Sequence, residues 1–277
     1  VIVCDADHCQ WTDDVLRTLR KDTDYRVFKN LHVPLRREFH MHRSEELFFG
    51  EILEHLKRGE NVYCTFNSLK KCKLVHQLIV DEFGRDFPIQ CYTSETPLRE
   101  KLALSDASKY WCRARVVLVT PTVDRGVNHD PEQPHFHCVF SHLTHNSAGP
   151  DSAFQQIGHV RKSHTPDVHC YVKPTPNRER VLCTDYEELD AQLSLHTIGT
   201  EDTPVSAQVM ALLNPVLDMD SGRWHVDRNT FTYVLCVHLL RQKHLCYNNL
   251  GAVFLWHIQT HGARVVEWVD DDTPDVK

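Results

Sequence analysis

The sequence predicts an α/β protein in which a parallel β-sheet carries helices on both faces and is followed by a mostly helical region. Short apolar runs alternate with helix-length segments between residues 61 and 172, which is the pattern of strands joined by crossover helices. Beyond Pro176 such runs become rare and helical spacing dominates. At 277 residues the chain is long enough for one large hydrophobic core or two smaller ones.

The predicted elements follow one another in a regular order. Residues 31–42 have no clean period and contain Pro34, so they are predicted to be a connector. Ser44 then opens a helix that closes near Gly59. Predicted strands lie at residues 61–65, 88–92, 116–119, 135–140, 167–172 and 265–268, and predicted helices lie at residues 68–83, 97–105, 150–162, 231–241 and 250–259.

Charge and hydropathy limit the kinds of molecule that this chain is expected to bind. The net charge of −7 argues against a broad electrostatic footprint for nucleic acid, although it allows a narrow basic groove. No apolar stretch has the length needed to cross a bilayer, so we expect no membrane partner.

Cysteine usage favours a reducing compartment. The spacing of cysteines and histidines does not predict a metal centre in the protein. Eleven cysteines, an odd number scattered through apolar runs, are not a disulfide framework. Twenty histidines raise a zinc hypothesis, above all at His40-Met-His42 and His135-Phe-His137-Cys138. However, the chain has no Cys-x-x-Cys pair, and His-x-His on a strand simply places both rings on one face. The sequence therefore predicts no metal site.

Polar residues follow the predicted strands at the point where each strand ends. They are Thr65, Asn67, Ser68, Thr93 and Thr120. The carboxyl ends of parallel strands meet at one edge of the sheet, where ligands of such folds bind. Hydroxyls, amides and helix N-termini favour anions, so this edge is predicted to suit phosphates. Taken singly, each of these loops is more often ordinary turn chemistry.

Two further segments add to this pattern. The loop at residues 120–128 contains Gly126, which permits a close backbone approach. Residues 154–162 have the pattern of a helix that ends on the basic pair Arg161 and Lys162. An arginine at a helix end can reach a phosphate across an interface and stabilise the charge that develops in phosphoryl transfer. The alternative is a solvated basic helix end.

The order of these segments resembles the second RecA-like domain of superfamily 2 helicases. Residues 1–7 resemble the strand and motif III that close the first RecA-like domain, and residues 61–68 resemble motif IV. Residues 120–128 resemble motif V, and residues 155–161 resemble motif VI. The compact form of this last motif, Gln155-Gln-Ile-Gly-His-Val-Arg161, is similar to that of the herpesvirus-type replication origin-binding proteins.

The resemblance implies a role for each matched residue. Arg161 would be the arginine finger that reaches the γ-phosphate of ATP, Gln155 would join the nucleotide to the nucleic acid, and His159 occupies the first basic position of motif VI. The nucleotide-binding positions would be Gly126, Asn128 and Gly158. The sugar-phosphate backbone of one DNA strand would be contacted, without sequence information, by Thr65, Asn67, Ser68, Thr93 and Thr120.

The chain departs from the helicase pattern in two respects. His159 replaces the first arginine of motif VI, and a neutral imidazole binds phosphate more weakly than a bidentate guanidinium, so ATP turnover is expected to be slow or lost. None of the ten glycines begins a Gly-x-x-x-x-Gly-Lys-Ser/Thr loop. We therefore expect a fragment that lacks the Walker A half and is inactive alone, with ATP and Mg²⁺ bound mainly by the missing first domain.

The resulting domain prediction has four parts. Residues 1–30 would end the first RecA-like domain, residues 31–42 would connect, residues 43–176 would form the second RecA-like domain, and residues 177–277 would form a mostly helical accessory domain. The predicted function is ATP-dependent DNA strand separation in replication, as part of a helicase of the origin-binding type.

Two rival functions stay open at this point. The first is a catalytically inactive, helicase-derived nucleic-acid-binding module, for which His159 is the main argument. The second is an unrelated α/β protein that uses its cysteines and histidines for metal. The expected partners are single-stranded DNA, with origin duplex and other replication proteins as further candidates. The expected location is intracellular and reducing, and nuclear if the source is eukaryotic or viral.

Overall fold

The structure is a computed structural model. It describes Arg17 and residues 37–123, 126–145, 148–174, 181–195, 216–218, 223–225, 227–228 and 230–269. The predictions for residues 1–30 therefore lie outside the described residues, apart from Arg17, and so do Asp124 and Arg125 of motif V. The chain divides into two compact units. One contains residues 1–31 and 177–248, and the other contains residues 32–176 and 249–277.

The larger unit is built on a parallel sheet. The described strands of the chain are β1 (Glu38–His42), β2 (Val62–Phe66), β3 (Ile89–Tyr92), β4 (Val116–Val119), β5 (Cys138–Leu143), β6 (Asp167–Val172), β7 (Val216–Asp218), β8 (Arg223–His225) and β9 (Arg264–Val269). Seven of them form one sheet in the order β3-β4-β2-β5-β6-β1-β9, and each neighbouring pair is parallel. All residues of β2, β4 and β5 are buried, as central strands of a doubly covered sheet require.

Helices cover both faces of this sheet. The described helices of the chain are α1 (Glu45–Lys57), α2 (Leu69–Phe83), α3 (Leu98–Lys101), α4 (Ala107–Trp111), α5 (Pro150–Ile157), α6 (Tyr186–Leu195) and α7 (Phe231–Thr260). On one face α1 and α2 bury residues such as Ile52 and Ile79. On the other face α4, α5 and the last part of α7 bury Trp111, Ile157 and Phe254. The predicted α/β, RecA-like architecture is confirmed.

Local signals fix the ends of the first two helices. Ser44 caps α1, since its Oγ accepts a hydrogen bond of 3.3 Å from the Leu47 amide. Ser68 caps α2 in the same way through the Lys71 amide. Gly84 ends α2 with a φ of 89°, a conformation that residues with a Cβ rarely adopt. No helix within the described ranges is long and apolar enough to cross a bilayer.

The segment at residues 38–42 differs from the sequence prediction, because it forms β1 inside the sheet instead of belonging to a connector. Phe39 and Met41 point into one core cluster, so the segment does alternate with a period of two. The alternation is present in the sequence, since Glu38, His40 and His42 separate the two apolar residues, but it covers only five residues directly after Arg36-Arg37 and was therefore assigned to the connector.

Two predicted element ends also shift. The strand predicted at residues 135–140 runs instead from Cys138 to Leu143, and Phe136 makes an isolated bridge with Ser163. The helix predicted at residues 150–162 ends at Ile157, because Val160 leaves the helix to pair with His129. The strand predicted at residues 265–268 is confirmed as β9. The predicted domain boundary after residue 176 stays a prediction, and the unit that contains the sheet also includes residues 249–277.

The smaller unit has its own small core in its described part. Leu189 of α6 packs with Tyr233, Cys236 and Val237 of α7. The Tyr233 hydroxyl donates a hydrogen bond of 2.6 Å to Asp190. The strands β7 and β8 form an antiparallel pair. Helical geometry is interrupted within α7 at Asn249, where one unit ends and the other begins.

Candidate functional site

Motifs V and VI are joined by backbone pairing. His129, directly after motif V, forms an isolated parallel bridge with Val160 of motif VI. The His129 amide donates a hydrogen bond of 2.7 Å to the His159 carbonyl, and the Arg161 amide donates one of 2.9 Å to the His129 carbonyl. The two motifs therefore have a fixed register, and the side chains of Asn128 and Arg161 emerge beside each other.

The Arg161 side chain is exposed and oriented. Its Nε donates a hydrogen bond of 3.0 Å to Oδ1 of Asn128, which is also exposed. Within the described part of the chain, no carboxylate lies within ion-pair distance of Arg161. A guanidinium that is held through Nε keeps its two terminal amino groups for a planar anion such as phosphate.

Arg37, which sequence analysis did not identify, contacts the segment that carries Arg161. Its guanidinium is buried and donates hydrogen bonds to the Val160 carbonyl and, at 3.1 Å, to the Ser163 hydroxyl. Burial and the nearby charge of Arg161 lower the pKa of Arg37 to about 10, so it stays charged at neutral pH. Arg37 thus contacts the backbone before Arg161 and a side chain after it, and adds a second positive charge. No local motif surrounds it, so only the tertiary contact reveals its role.

His159 is turned inward. Its side chain is only 4% exposed, and its Nδ1 lies 3.3 Å from the hydroxyl of Tyr63, a fully buried residue of β2. The imidazole therefore helps to fasten motif VI to the sheet and does not present a second basic group to solvent beside Arg161. Tyr63 is another residue that sequence analysis missed, because it lies inside a run of strand residues and carries no motif of its own.

The other predicted nucleotide-site residues lie on the same two motifs. Gln155 is exposed on α5, and Gly158 ends that helix. A Cβ at Gly158 would lie 3.3 Å from the carbonyl oxygens of Phe154 and Gln155, so a larger residue would crowd the backbone at the end of α5. Gly126 is exposed and has a φ of 77°, the left-handed region that favours glycine.

The residues predicted to contact nucleic acid lie at the carboxyl edge of the sheet, as expected, but most of their side chains are engaged within the chain. Buried Thr65 donates a hydrogen bond of 3.0 Å to Ser141. Buried Asn67 donates to the carbonyls of Thr144 and Ala148 and accepts from the Thr144 amide at 2.7 Å. Asn67 therefore shapes the loop after β5.

The remaining three residues at this edge organise turns or a helix start. Thr93 accepts a hydrogen bond of 3.2 Å from the Glu95 amide, and Thr120 donates one of 3.3 Å to the Tyr92 carbonyl. Both threonines are buried, whereas Ser68 is half-buried at the N-cap of α2. The amide donors of Glu95 and Thr144 are occupied by Thr93 and Asn67, so a ligand at this edge would mainly meet the N-terminus of α2. Their assignment to nucleic acid stays a prediction.

The predicted site residues thus form two separate groups. Thr65 lies near the carboxyl end of β2, and Thr93 and Thr120 directly follow β3 and β4. The segment around Arg161 instead precedes β6 and pairs with residues that precede β5.

His129 provides a pH-dependent test of this arrangement. Burial beside the rings of Trp111 and Phe136 lowers the pKa of His129 from 6.5 to about 4. At pH values between 4 and 6.5, His129 is protonated in the unfolded chain but neutral in the folded chain. The free energy of unfolding therefore falls as the pH drops from 6.5 to 4. The expected loss is about 3 kcal/mol across this window.

The measurement is urea unfolding at pH 7 and pH 5 for the wild type and His129→Phe. The variant should lose a smaller part of its stability at the lower pH, because phenylalanine cannot bind a proton. His164→Phe replaces an exposed histidine and should keep the pH dependence of the wild type. Equal pH dependence in wild type and His129→Phe would show that His129 does not carry the effect.

The parallel sheet and the pairing of motif V with motif VI define the class: this is a RecA-like, helicase-type domain. A family model described as origin of replication binding protein matches residues 9–186, more than half of the chain. The chain therefore belongs to the origin of replication binding protein family.

Curated relatives with sequence similarity are viral proteins. The replication origin-binding protein of human herpesvirus 2 is 28% identical over 191 residues, which cover 68% of this chain and 18% of the relative. A protein of African swine fever virus, whose name proposes a place in a helicase/primase complex, is 22% identical over 267 residues, which cover 96% of this chain and 24% of the relative. The chain thus spans about a quarter or less of these relatives.

Similar solved structures include two DEAD-box proteins, both bound to RNA. The DEAD-box helicase Mss116 with single-stranded RNA is 15% identical with a TM-score of 0.39, covering 51% of this chain and 29% of that chain. Dbp5 of S. cerevisiae with RNA is 14% identical with a TM-score of 0.40, covering 58% of this chain and 42% of that chain.

Proposed function

We propose that this chain is the second RecA-like domain of an ATP-dependent DNA helicase that acts in replication. The observation that carries the proposal is the state of Arg161, which is exposed, held by Asn128 through Nε and without a carboxylate partner among the described residues. An arginine that only stabilised the fold would more often pair with an acidic side chain. An arginine held in this way suits a phosphate supplied by another domain.

In the proposed mechanism, Arg161 acts across an interface with a preceding nucleotide-binding domain. Closure of the two domains would bring the free amino groups of its guanidinium to the γ-phosphate, where they offset the charge that develops during transfer. Arg37 would keep motif VI in place and raise the local positive potential. Asn128 would set the direction of the guanidinium before the nucleotide arrives.

ATP and Mg²⁺ would be held mainly by the preceding domain. The longer relatives support this arrangement, because their length leaves room for a Walker A half. Mg²⁺ would supply charge neutralisation at the β- and γ-phosphates. The residues of this chain that fit the nucleotide are those around Arg161, where two guanidinium groups offer positive charge.

The proposed DNA contact lies at the carboxyl edge of the sheet. The N-terminus of α2, together with the loops that Asn67, Thr93 and Thr120 hold in place, would bind the phosphates of one strand. Origin duplex and other replication proteins are further proposed partners, by analogy with the names of the viral relatives. We further propose a reducing compartment, the nucleus if the source is eukaryotic or viral.

A second candidate function is a nucleic-acid-binding module that no longer hydrolyses ATP. The burial of His159 against Tyr63 favours it, because motif VI then offers one basic side chain from its own sequence where the helicase pattern has two. In this case Arg161 would bind a nucleotide or a nucleic-acid phosphate without turnover.

Hydrolysis of ATP by the full-length protein, with and without single-stranded DNA, separates the two candidates. The proposed helicase should hydrolyse ATP, respond to the DNA and unwind a forked duplex. DNA binding without hydrolysis would support the second candidate. A protein that neither binds single-stranded DNA nor hydrolyses ATP would contradict both.

A further inference from the structure

A second cluster of chemically active side chains lies away from motifs V and VI. The ligand atoms of His55, Cys138 and His169 all lie within 4.8 Å of one another. His55 comes from the last turn of α1, Cys138 begins β5, and His169 belongs to the neighbouring strand β6. Phe140, two residues after Cys138, pairs in register with His169, so Cys138 and His169 share the sheet face that α1 covers.

We propose that His55, Cys138 and His169, together with Glu51, form a structural site for a divalent metal ion of the zinc class. Two imidazoles, one thiolate and one carboxylate are ligands that zinc accepts. The metal would fasten the end of α1 to β5 and β6. This site is independent of the proposed ATP-dependent function.

The separations are near those of a zinc site. Zinc bonds of about 2.3 Å to sulfur and about 2.0 Å to nitrogen imply a sulfur-to-nitrogen separation of about 3.6 Å. Sγ of Cys138 lies 3.9 Å from Nε2 and 3.6 Å from Nδ1 of His55. Because the sulfur is nearly equidistant from both ring nitrogens, coordination through Nε2 would require the imidazole to turn so that Nε2 faces the ion.

Two carboxylates assign the nitrogens of His55. Oε2 of Glu60 lies 2.6 Å from Nδ1, which is a hydrogen-bond distance and fixes the proton on that nitrogen. Nε2 is then free to bind the metal. Oε1 of Glu51 lies 3.2 Å from Nε2, close to the separation of about 3.3 Å that two ligands of one zinc ion show. Glu51 is therefore the fourth ligand, and Glu60 is the carboxylate that orients the histidine.

His169 has a matching support. Its Nδ1 lies 3.1 Å from Nε2 of His42, which leaves Nε2 of His169 for the metal.

Simple packing explains less of the cluster. The His169 ring stacks on Phe140 with centroids 4.8 Å apart, which accounts for a buried imidazole at that position. It does not account for a thiol that faces an imidazole flanked by two carboxylates. The carboxylates of Glu51 and Glu60, which lie 3.2 Å and 2.6 Å from the nitrogens of His55, would offset the charge of a divalent cation.

Sequence analysis predicted no metal site because it searched for local spacing. The proposed ligands come from three elements that are far apart in the chain, and His55 and Cys138 are separated by 83 residues. Only Cys138 belonged to a segment considered for zinc. The cluster becomes visible when α1 packs on the sheet.

The test compares metal content and affinity in full-length protein purified with a tag that contains no histidine. Zinc is measured by mass spectrometry after removal of loose metal on a chelating resin, and affinity by competition with a chromophoric chelator. Cys138→Ser should contain one equivalent of zinc less than the wild type and bind it at least about 100-fold more weakly. Glu51→Gln should weaken binding about 10-fold or more.

Cys170→Ser is the matched control, since Cys170 is equally buried and lies beside His169 but on the other face of the sheet. It should keep the zinc content of the wild type. Replacement of zinc by Co²⁺ should also give a thiolate charge-transfer band that is lost in Cys138→Ser.

Equal zinc content in the wild type, Cys138→Ser and Cys170→Ser would overturn the proposal, as would equal loss in both variants. If Cys138→Ser failed to fold, the decision would rest on Glu51→Gln and on the Co²⁺ spectrum of the wild type. A wild-type spectrum without the thiolate band would then exclude the site.

Discussion

Replacing Arg161 with alanine in the full-length protein should lower the turnover number for DNA-stimulated ATP hydrolysis by about 10³-fold or more. The physical reason is that the substitution would remove the only exposed guanidinium described on motif VI. This group would lie where negative charge develops on the phosphate during hydrolysis. Its Nε contact with Asn128 is exposed and contributes little to folding, so the fold should survive. Steady-state hydrolysis and a circular dichroism spectrum check both parts.

Lys162→Ala is the matched control for this variant. Lys162 is the next residue, is also exposed and basic, and pairs with Asp130 at 2.9 Å. Its loss should change turnover by no more than about fivefold, because an exposed ion pair contributes at most about 1 kcal/mol. Arg161→Lys should recover only part of the activity, since an ammonium cannot bind phosphate in a bidentate way. Wild-type turnover in Arg161→Ala would remove this residue from the mechanism.

Replacing Trp111 with alanine should lower the free energy of unfolding by about 3–5 kcal/mol. Trp111 is completely buried, and its ring lies 5.1 Å from that of Tyr63 and 5.5 Å from that of His129. The cavity would therefore open beneath the two residues that hold motif VI. Urea unfolding followed by circular dichroism measures the loss.

Trp256→Ala is the control of equal chemistry, since Trp256 is 56% exposed. Its loss should cost about 1 kcal/mol or less. Motif VI should also respond differently in the two variants. Trp111→Ala is expected to weaken ATP hydrolysis at temperatures where the protein is still folded, whereas Trp256→Ala is not. Similar stabilities for the two variants would contradict the packing described for Trp111.

The sheet could be predicted from sequence where its strands are apolar on both faces. Val116–Val119 and Val62–Phe66 are buried throughout, and continuous apolar runs identify them. β1 was missed because its alternating pattern covers only five residues, and its place in the sheet depends on partners on β6 and β9 that are far away in the chain. Hydropathy reports the transfer of a side chain from water, and it contains no information on partners that are distant in the chain.

The candidate site shows the same difference between local sequence signals and contacts between distant residues. Arg161 and Gly126 could be identified because motif spacing is local. The burial of His159, the support from Arg37 and the zinc cluster could not, because each depends on residues about 100 positions away or on three separate elements. The inward direction of Asn67 was equally hidden, since a loop asparagine binds a solvent ligand or its own backbone with the same atoms.

The position of β1 in the sheet sets the timing of folding during synthesis. β1 lies between β6 and β9, and Glu38 pairs with Arg264, which the ribosome adds 226 residues later. Until β9 has been translated, one side of β1 carries unpaired backbone groups that could join a neighbouring nascent chain. Glu38, His40 and His42 alternate along this strand, and polar side chains at such an open side oppose intermolecular pairing.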